Sequence, residues 1–469
     1  MTLRFRIVLR AALALLISFA VLVRPVAAQS VLRDAETESW LQDISRPLVA
    51  AAGLDPRNVQ IVLLYDNSIN AFVAGGQIVY IHSATLTEAD NTDMVQGVIA
   101  HELGHITGGH VVRLAEGAKA ATGVMLLSLL LGAAAMAAGA GDAGAGIFMA
   151  GQQAALGKFL AFTRVQESSA DAAAVATMDK AGVSGKGLIA FFKKLQNQSL
   201  RYGYNPKDAY EQTHPLDRER VSTLTESLQA SKSWNAKTDP ALDARFARIK
   251  AKLKGYVLDP PRVMQQYPAT DLSVPAHYAR AYAYHRSAYP DQALKEADAL
   301  LATAPHDPYF LELKGQILLE SGNPTEALPM LREATQLTGF NPLITSLFGH
   351  ALIATEDNKN FPEAERVLRS AIAKDNQNPD AWYQLGIVYD HKGDQARAAL
   401  ATAERYNLQG NAKLAFANAR LAMAGIPHGS SDWVRAQDIY MVSEPEAKKG
   451  KKDKKDKGKQ DKPEDAPQP

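Results

Sequence analysis

The chain has 469 residues, 46% of them hydrophobic and 22% charged, with a formal net charge of +1. That length allows two or three domains with sizeable cores, and the balanced charge excludes a nucleic-acid binder or a strongly charged trap for acidic substrates. There is no cysteine, so neither disulfides nor thiolates are available, and a metal site must be built from His and carboxylates.

Residues 1–28 read as an export signal. Arg4, Arg6 and Arg10 precede an apolar run from Ala11 to Val23, and Val26-Ala27-Ala28 supplies the small residues of a cleavage site. This places the mature chain outside the cytoplasm, in the periplasm, starting near Gln29.

Residues 31–230 mix strand-like and helix-like pieces and are taken as one domain. Between Gln60 and Ile81, short apolar runs alternate with turn residues, as in a small sheet or hairpin. From Thr87 the period changes: Met94, Val95, Val98, Ile99 and Leu103 recur at helical spacing. A charge-free stretch from Ala120 to Gly141 follows, long enough to cross a membrane, although its later half is Ala and Gly. Ala143 to Ala161 could return across the same membrane, but Gln152, Gln153 and Lys158 make it a poor span. The favoured reading is a hydrophobic segment over 120–161 that packs over the active site or rests peripherally on a membrane surface; an intramembrane hairpin is the alternative.

Residues 231–272 read as a linker, with a basic amphipathic helix at Ala241 to Leu253 and then Pro260-Pro261 and Pro268. Over 273–440 the chain repeats. Ala281, Gly315, Gly349 and Gly386 stand 34, 34 and 37 residues apart, and Ala293, Ala327, Ala364 and Ala398 follow at a fixed phase. Pro305, Pro342 and Pro379 punctuate the units, Trp382-x-x-Leu385-Gly386-x-x-Tyr389 matches the first helix of a tetratricopeptide repeat, and a fifth, poorer helix pair falls at Gln409 to Ala424. Residues 444–469 read as a disordered Lys-rich tail, because from Lys448 onward nine Lys interleave with five acidic residues and no large apolar side chain occurs.

The chemistry concentrates at His101-Glu102-Leu103-Gly104-His105. Positions i and i+4 share a helix face, so both imidazoles can reach one ion while Glu102 reaches that ion's water. A catalytic zinc site wants three protein ligands, and Glu167 in Glu167-Ser168-Ser169-Ala170-Asp171, read as the start of a helical run to Met178, is the best candidate for the third. Asp171, one turn on, could accept the second ring hydrogen of a ligand His.

His-Glu-x-x-His followed some 60 residues later by Glu-x-x-Ala-Asp resembles the gluzincin peptidases of the type that includes the CaaX prenyl protease and the HtpX heat-shock protease. Asn70-Ala71-Phe72 with Gly75-Gly76 resembles that family's edge strand, and Thr213-His214-Pro215 with Arg220 resembles the segment after its third ligand. The export signal and C-terminal repeats narrow the likeness to periplasmic beta-barrel assembly-enhancing proteases.

The resemblance implies an α+β zincin-like metallopeptidase domain followed by an all-α tetratricopeptide-repeat solenoid. It implies one zinc per chain on His101, His105 and Glu167, with Glu102 as general base. His214 and Arg220 are candidates for a second donor to the oxyanion; His214 could instead be a fourth ligand that holds the enzyme latent. Asn70, Phe72, Gly75 and Gly76 mark where an extended substrate strand would pair. The implied role is a zinc endopeptidase acting on misfolded or stalled outer-membrane proteins, with repeats that hold the substrate or the outer-membrane assembly machinery. The rival reading is a non-proteolytic chaperone or scaffold for envelope assembly whose zinc is structural.

Overall fold

The structure, a computed structural model, describes residues 30–137, 140–202, 213–216 and 218–460; the proposed signal segment lies outside them. The chain divides into two compact units. One holds Val31–Leu32 and Trp40–Asp243, the other Arg33–Ser39 and everything from Ala244 onward.

The first unit is built on a four-stranded sheet of β1 (Val31–Leu32), β2 (Gln60–Leu64), β3 (Ala71–Ala74) and β4 (Ile78–His82). Its order is β1-β2-β4-β3, with β2 and β4 parallel and the outer pairs antiparallel. Ile78 to Ile81 therefore fall on an interior strand, and the sheet's edges are β1 and β3. Gly75 and Gly76, with φ of 64° and 102°, make the turn between β3 and β4. Helix α1 (Ala35–Ala51) contributes Trp40, Leu41, Ile44 and Leu48 to the buried core.

After α2 (Ser83–Glu88), α3 (Thr92–Thr107) starts at Asn91, whose side chain accepts the Met94 N–H. The helical periodicity read from the sequence places Met94, Val95, Val98, Ile99 and Leu103 in the core. The chain then runs out along α4 (His110–Ala137) and back along α5 (Gly141–Ala181). Glu167 lies deep inside α5; it does not begin a helix. Because the two helices form an antiparallel pair, the chain returns to α3 without leaving the motifs on opposite sides of anything.

This hairpin packs with unusual polarity. Its seam is made of small residues: a Cβ on Gly144 would lie 2.6 Å from the Gly132 carbonyl oxygen, and one on Gly151 only 1.7 Å from Ser128 Oγ. The large apolar side chains point away, with Leu126, Leu127, Leu129, Leu130 and Leu131 all exposed. Among the described residues, His110–Met136 is the one stretch long and apolar enough to cross a membrane by length and composition. Two further helices, α6 (Lys186–Tyr202) and α7 (Arg218–Gln229), complete the unit.

The second unit is helical throughout its described residues. The region read as a linker carries a helix where one was expected at Ala241 to Leu253, α8 (Pro240–Val257), and also α9 (Pro260–Gln266), with Phe246, Ile249, Leu253 and Val263 buried. Helix pairs follow: α10 (Val274–Arg286) with α11 (Pro290–Thr303), α12 (Pro308–Glu320) with α13 (Pro324–Leu337), α14 (Pro342–Ala354) with α15 (Phe361–Lys374), and α16 (Pro379–His391) with α17 (Gln395–Leu408). The fixed-phase small residues let paired helices approach: a Cβ on Gly315 or Gly349 would stand 2.6 Å from Leu331 or Leu368 respectively. Pro342 and Pro379 open helices, whereas the third opener is Pro308, with Pro305 in the loop before it.

The proposed fifth pair within Gln409 to Ala424 is a single helix, α18 (Ala412–Gly425), and its partner is α19 (Ser431–Gln460). The backbone of the expected disordered tail is thus helical to Gln460. Residues 461–469 lie outside the described residues.

A buried ion cluster joins Arg33–Ser39 to the rest of this unit. Glu36, fully buried, accepts from Lys252 Nζ at 3.0 Å and from the Tyr278 hydroxyl at 2.8 Å, and also pairs with Arg248. Lys252 also meets Asp34 at 2.6 Å. Charges this far from water persist only when paired.

Candidate metal centre

Helix α3 supplies two imidazoles one turn apart. His101 Nε2 and His105 Nε2 stand 3.1 Å apart, both residues buried. Glu167 enters from α5 with Oε2 at 3.3 Å from His101 Nε2 and Oε1 at 3.4 Å from His105 Nε2. His214 completes the group: its Nδ1 lies 3.4 Å from His101 Nε2 and 3.0 Å from Glu167 Oε1. Its Nε2–H donates to the Ala71 carbonyl of β3 at 3.1 Å.

The fit to a metal can be tested on these separations. Ligand atoms about 2.0–2.1 Å from a tetrahedral zinc stand about 3.3–3.4 Å from one another. The four side chains offer ligand atoms all within 4.8 Å of each other, most at 3.0–3.4 Å. Three imidazoles and one carboxylate, all buried, are a donor set suited to a borderline divalent cation.

The close approach of α3 and α5 makes this convergence possible. A Cβ at Gly104 would lie 2.6 Å from the Ala170 carbonyl oxygen and 2.9 Å from its Cα. Only glycine at that position lets the helix carrying Glu167 come in against the two His.

Glu102 differs from its neighbours. It is fully buried, and neither carboxylate oxygen has a hydrogen-bond partner. The Nε2 of His214 is 3.6 Å from Glu102 Oε1. Burial pushes its pKa up, against the opposing pull of His214 and His101. Burial acts the same way on Glu167, but there His214 and the hydrogen bonds from His101 and His214 prevail and hold it well below the usual carboxylate range.

Around the cluster, Asp171 Oδ1 lies 3.0 Å from His101 Nδ1. Arg220, read from the sequence as a donor to the oxyanion, is fully engaged elsewhere. Its Nε and Nη2 donate to Asp171 at 2.5 and 2.9 Å, and its Nη1 meets Glu167 Oε2 at 2.9 Å and the Pro215 carbonyl at 3.0 Å. It braces the two acids and faces no open space. Burial alone would raise Asp171, but these Arg220 bonds and His101 keep its pKa low.

The residues read as a substrate strand divide by location. Phe72 lies on edge strand β3, stacked on Tyr80 at 5.2 Å, and Gly75 and Gly76 form the turn beyond it. Asn70 is buried and structural. It exchanges hydrogen bonds with Thr85, and its side chain accepts from the Thr213 hydroxyl at 3.2 Å, next to His214.

Two neighbours were not singled out in the sequence. Phe192 of α6 packs edge-on to His101 and under the Arg220 guanidinium. His110 sets its Nδ1 3.0 Å from His105 Nδ1. The available signal for His110 was a third histidine just past Gly108-Gly109; for Phe192 there was none.

Residues 35–228 match peptidase family M48, and residues 277–342 and 353–412 match a tetratricopeptide repeat. A putative beta-barrel assembly-enhancing protease of Vibrio cholerae is 24% identical over 82% of this chain and 79% of its own. The beta-barrel assembly-enhancing protease of Escherichia coli K12 is 24% identical over 86% of this chain and 82% of its own. Among solved structures, the tetratricopeptide-repeat protein YrrB covers 38% of this chain and 92% of itself, at 21% identity and a TM-score of 0.31.

The helix contact at Gly104 yields a direct test. Gly104→Ala should force α3 and α5 apart, lowering stability by about 1–3 kcal/mol and reducing the metal content of the purified chain. Chemical denaturation and metal analysis would report both; wild-type values for each would show that the contact does not set the cluster.

Proposed function

Since residues 35–228 are a peptidase family M48 domain and tetratricopeptide repeats follow, we propose that this metallopeptidase is a zinc-dependent endopeptidase of the periplasm. In this reading it acts on misfolded or stalled outer-membrane proteins. The observation that carries the catalytic part is the convergence of His101, His105, Glu167 and His214 beside a buried Glu102 with no partner of its own. The names of the V. cholerae and E. coli relatives support the outer-membrane setting, and the basic start and apolar run of residues 1–28 support export.

His101, His105 and Glu167 would hold the zinc. When bound, it polarises a scissile carbonyl and lowers the pKa of its water to about 7. The chain's own residues do the rest. Glu102, whose pKa burial raises, takes up a proton at its carboxylate and returns it to the departing amine. Asp171 and Arg220 keep His101 and Glu167 aimed. Edge strand β3, whose Ala71 carbonyl His214 already takes, would pair with an extended peptide through its other outward backbone groups, which favours unfolded substrates over particular sequences.

The repeats supply a place for a protein partner or the substrate. A groove of about 780 Å³ lies among α16, α17 and α18, lined by Tyr383, Ile387, Asp390, Thr402 and Leu421.

Glu102→Gln separates this function from that of a non-proteolytic chaperone or scaffold. The variant should keep its zinc, lose unfolded-protein cleavage by about 10²–10⁴-fold, and retain bound substrates for identification. Cleavage within tenfold of wild type would overturn the endopeptidase reading.

His214, whose Nδ1 faces the other three ligands, serves in our reading as a fourth ligand that closes the resting site. His214→Ala should then cleave an unfolded protein faster than wild type, and an unchanged or lower rate would dismiss latency.

The outward leucines of the α4–α5 hairpin, with Arg113, Lys119, Lys158 and Arg164 nearer its base, are assigned to contact with an anionic membrane surface. The purified chain should float with phosphatidylethanolamine–phosphatidylglycerol vesicles, and a Leu127→Glu, Leu130→Glu double variant should not. Equal flotation of the two, or none by either, would remove this contact.

A further inference from the structure

We propose that His110 is a positioning residue for the metal centre: its Nδ1 accepts the Nδ1–H of His105 and so keeps the Nε2 lone pair of His105 turned towards the cluster. This rests on the zinc reading above and adds to it a residue and a hydrogen-bond direction.

A neutral imidazole carries one ring hydrogen, and a ligand nitrogen cannot be the one that holds it. His105 presents Nε2 to the cluster, at 3.1 Å from His101 Nε2 and 3.4 Å from Glu167 Oε1. Its hydrogen must therefore sit on Nδ1, and a buried N–H requires an acceptor. For His101 the group nearest Nδ1 is the Asp171 carboxylate, with Oδ1 3.0 Å away. For His105 the group at the corresponding place is the Nδ1 of His110, at 3.0 Å, with the two rings edge-to-face at 4.9 Å. His110 then carries its own hydrogen on Nε2.

The local backbone is shaped to place this ring. Helix α3 ends at Thr107, Gly109 takes a left-handed φ of 63°, and the next residue, His110, opens α4. The reversal swings the His110 side chain back under the last turn of α3, where it is buried. Gly108 leaves the room: a Cβ there would stand 2.2 Å from His110 Nε2. Two successive glycines thus serve one contact, the first by lacking a side chain and the second by turning the chain.

The test replaces the acceptor in two ways. His110→Leu fills the space without an acceptor, whereas His110→Asn puts Oδ1 where Nδ1 was, at the same number of bonds from the backbone. Full-length chains, stripped of metal, are titrated with zinc in competition with a chromophoric chelator, and the melting of each stripped chain is recorded alongside.

Zinc affinity should fall about 10–100-fold in His110→Leu and stay within a few-fold of wild type in His110→Asn. Gly108→Ala, which displaces the ring without removing it, should weaken zinc in the same direction and serves if His110→Leu does not fold. Wild-type affinity in His110→Leu or Gly108→Ala would overturn the proposal, as would equal losses in the Leu and Asn variants with unaltered melting. A wild-type chain that takes up no zinc would instead sink the metal centre itself, and the role of His110 with it.

Discussion

Glu167 sets the terms for the first unit. A carboxylate removed from water is costly, by several kcal/mol after relaxation, unless charged or hydrogen-bonding groups replace the lost solvent. Here His101, His105 and His214 contact it on one side and Arg220 braces it on the other. These four partners come from three parts of the chain: α3, the segment at 213–216, and α7. The need to bring them to one carboxylate accounts for the glycine at position 104, the return of α5 along α4, and the hydrogen bond that ties His214 to the edge of the sheet.

Seen from that carboxylate, the roles of the acidic and basic residues separate. Glu167 and Asp171 are held ionised by their neighbours, while Glu102, equally buried, has no such support and its pKa rises. Environments that push nearby carboxyls in opposite directions are what acid–base chemistry requires. Arg220 belongs to the supporting set, since its guanidinium already bonds two carboxylates and a backbone carbonyl.

Much of this was legible in the residues. The His101–His105 pair follows from helix periodicity, and the repeats follow from small residues at a period of 34. Placing Glu167 at a helix start failed because the Ala- and Gly-rich stretch before it continues one helix from Gly141, through Thr163, whose hydroxyl bonds back to the Leu160 carbonyl at 2.9 Å and caps nothing. The linker reading was misled by polar residues and prolines around 231–272, since Pro240 and Pro260 open helices α8 and α9. Arg220 looked available because a sequence does not show which carboxylates an arginine will meet. His110 was passed over because its contact depends on a left-handed glycine, and a backbone reversal of that kind leaves only a weak trace in composition.

The cluster around Glu36 bears on how the chain is made as well as on how it is held. Arg248 and Lys252 lie 212 and 216 positions after the carboxylate they share. During synthesis the acidic segment emerges first and must wait, unpaired and in water, while the whole first unit is produced. Only then do its basic partners appear. The second unit, though nearly contiguous in sequence, cannot finish folding from its own stretch of chain alone. Cutting between Asp243 and Ala244 would part the buried Lys252 from Asp34 and Glu36 and leave Arg248 only Asp307 of its two carboxylates, so the boundary between the units is a costly place to divide the polypeptide.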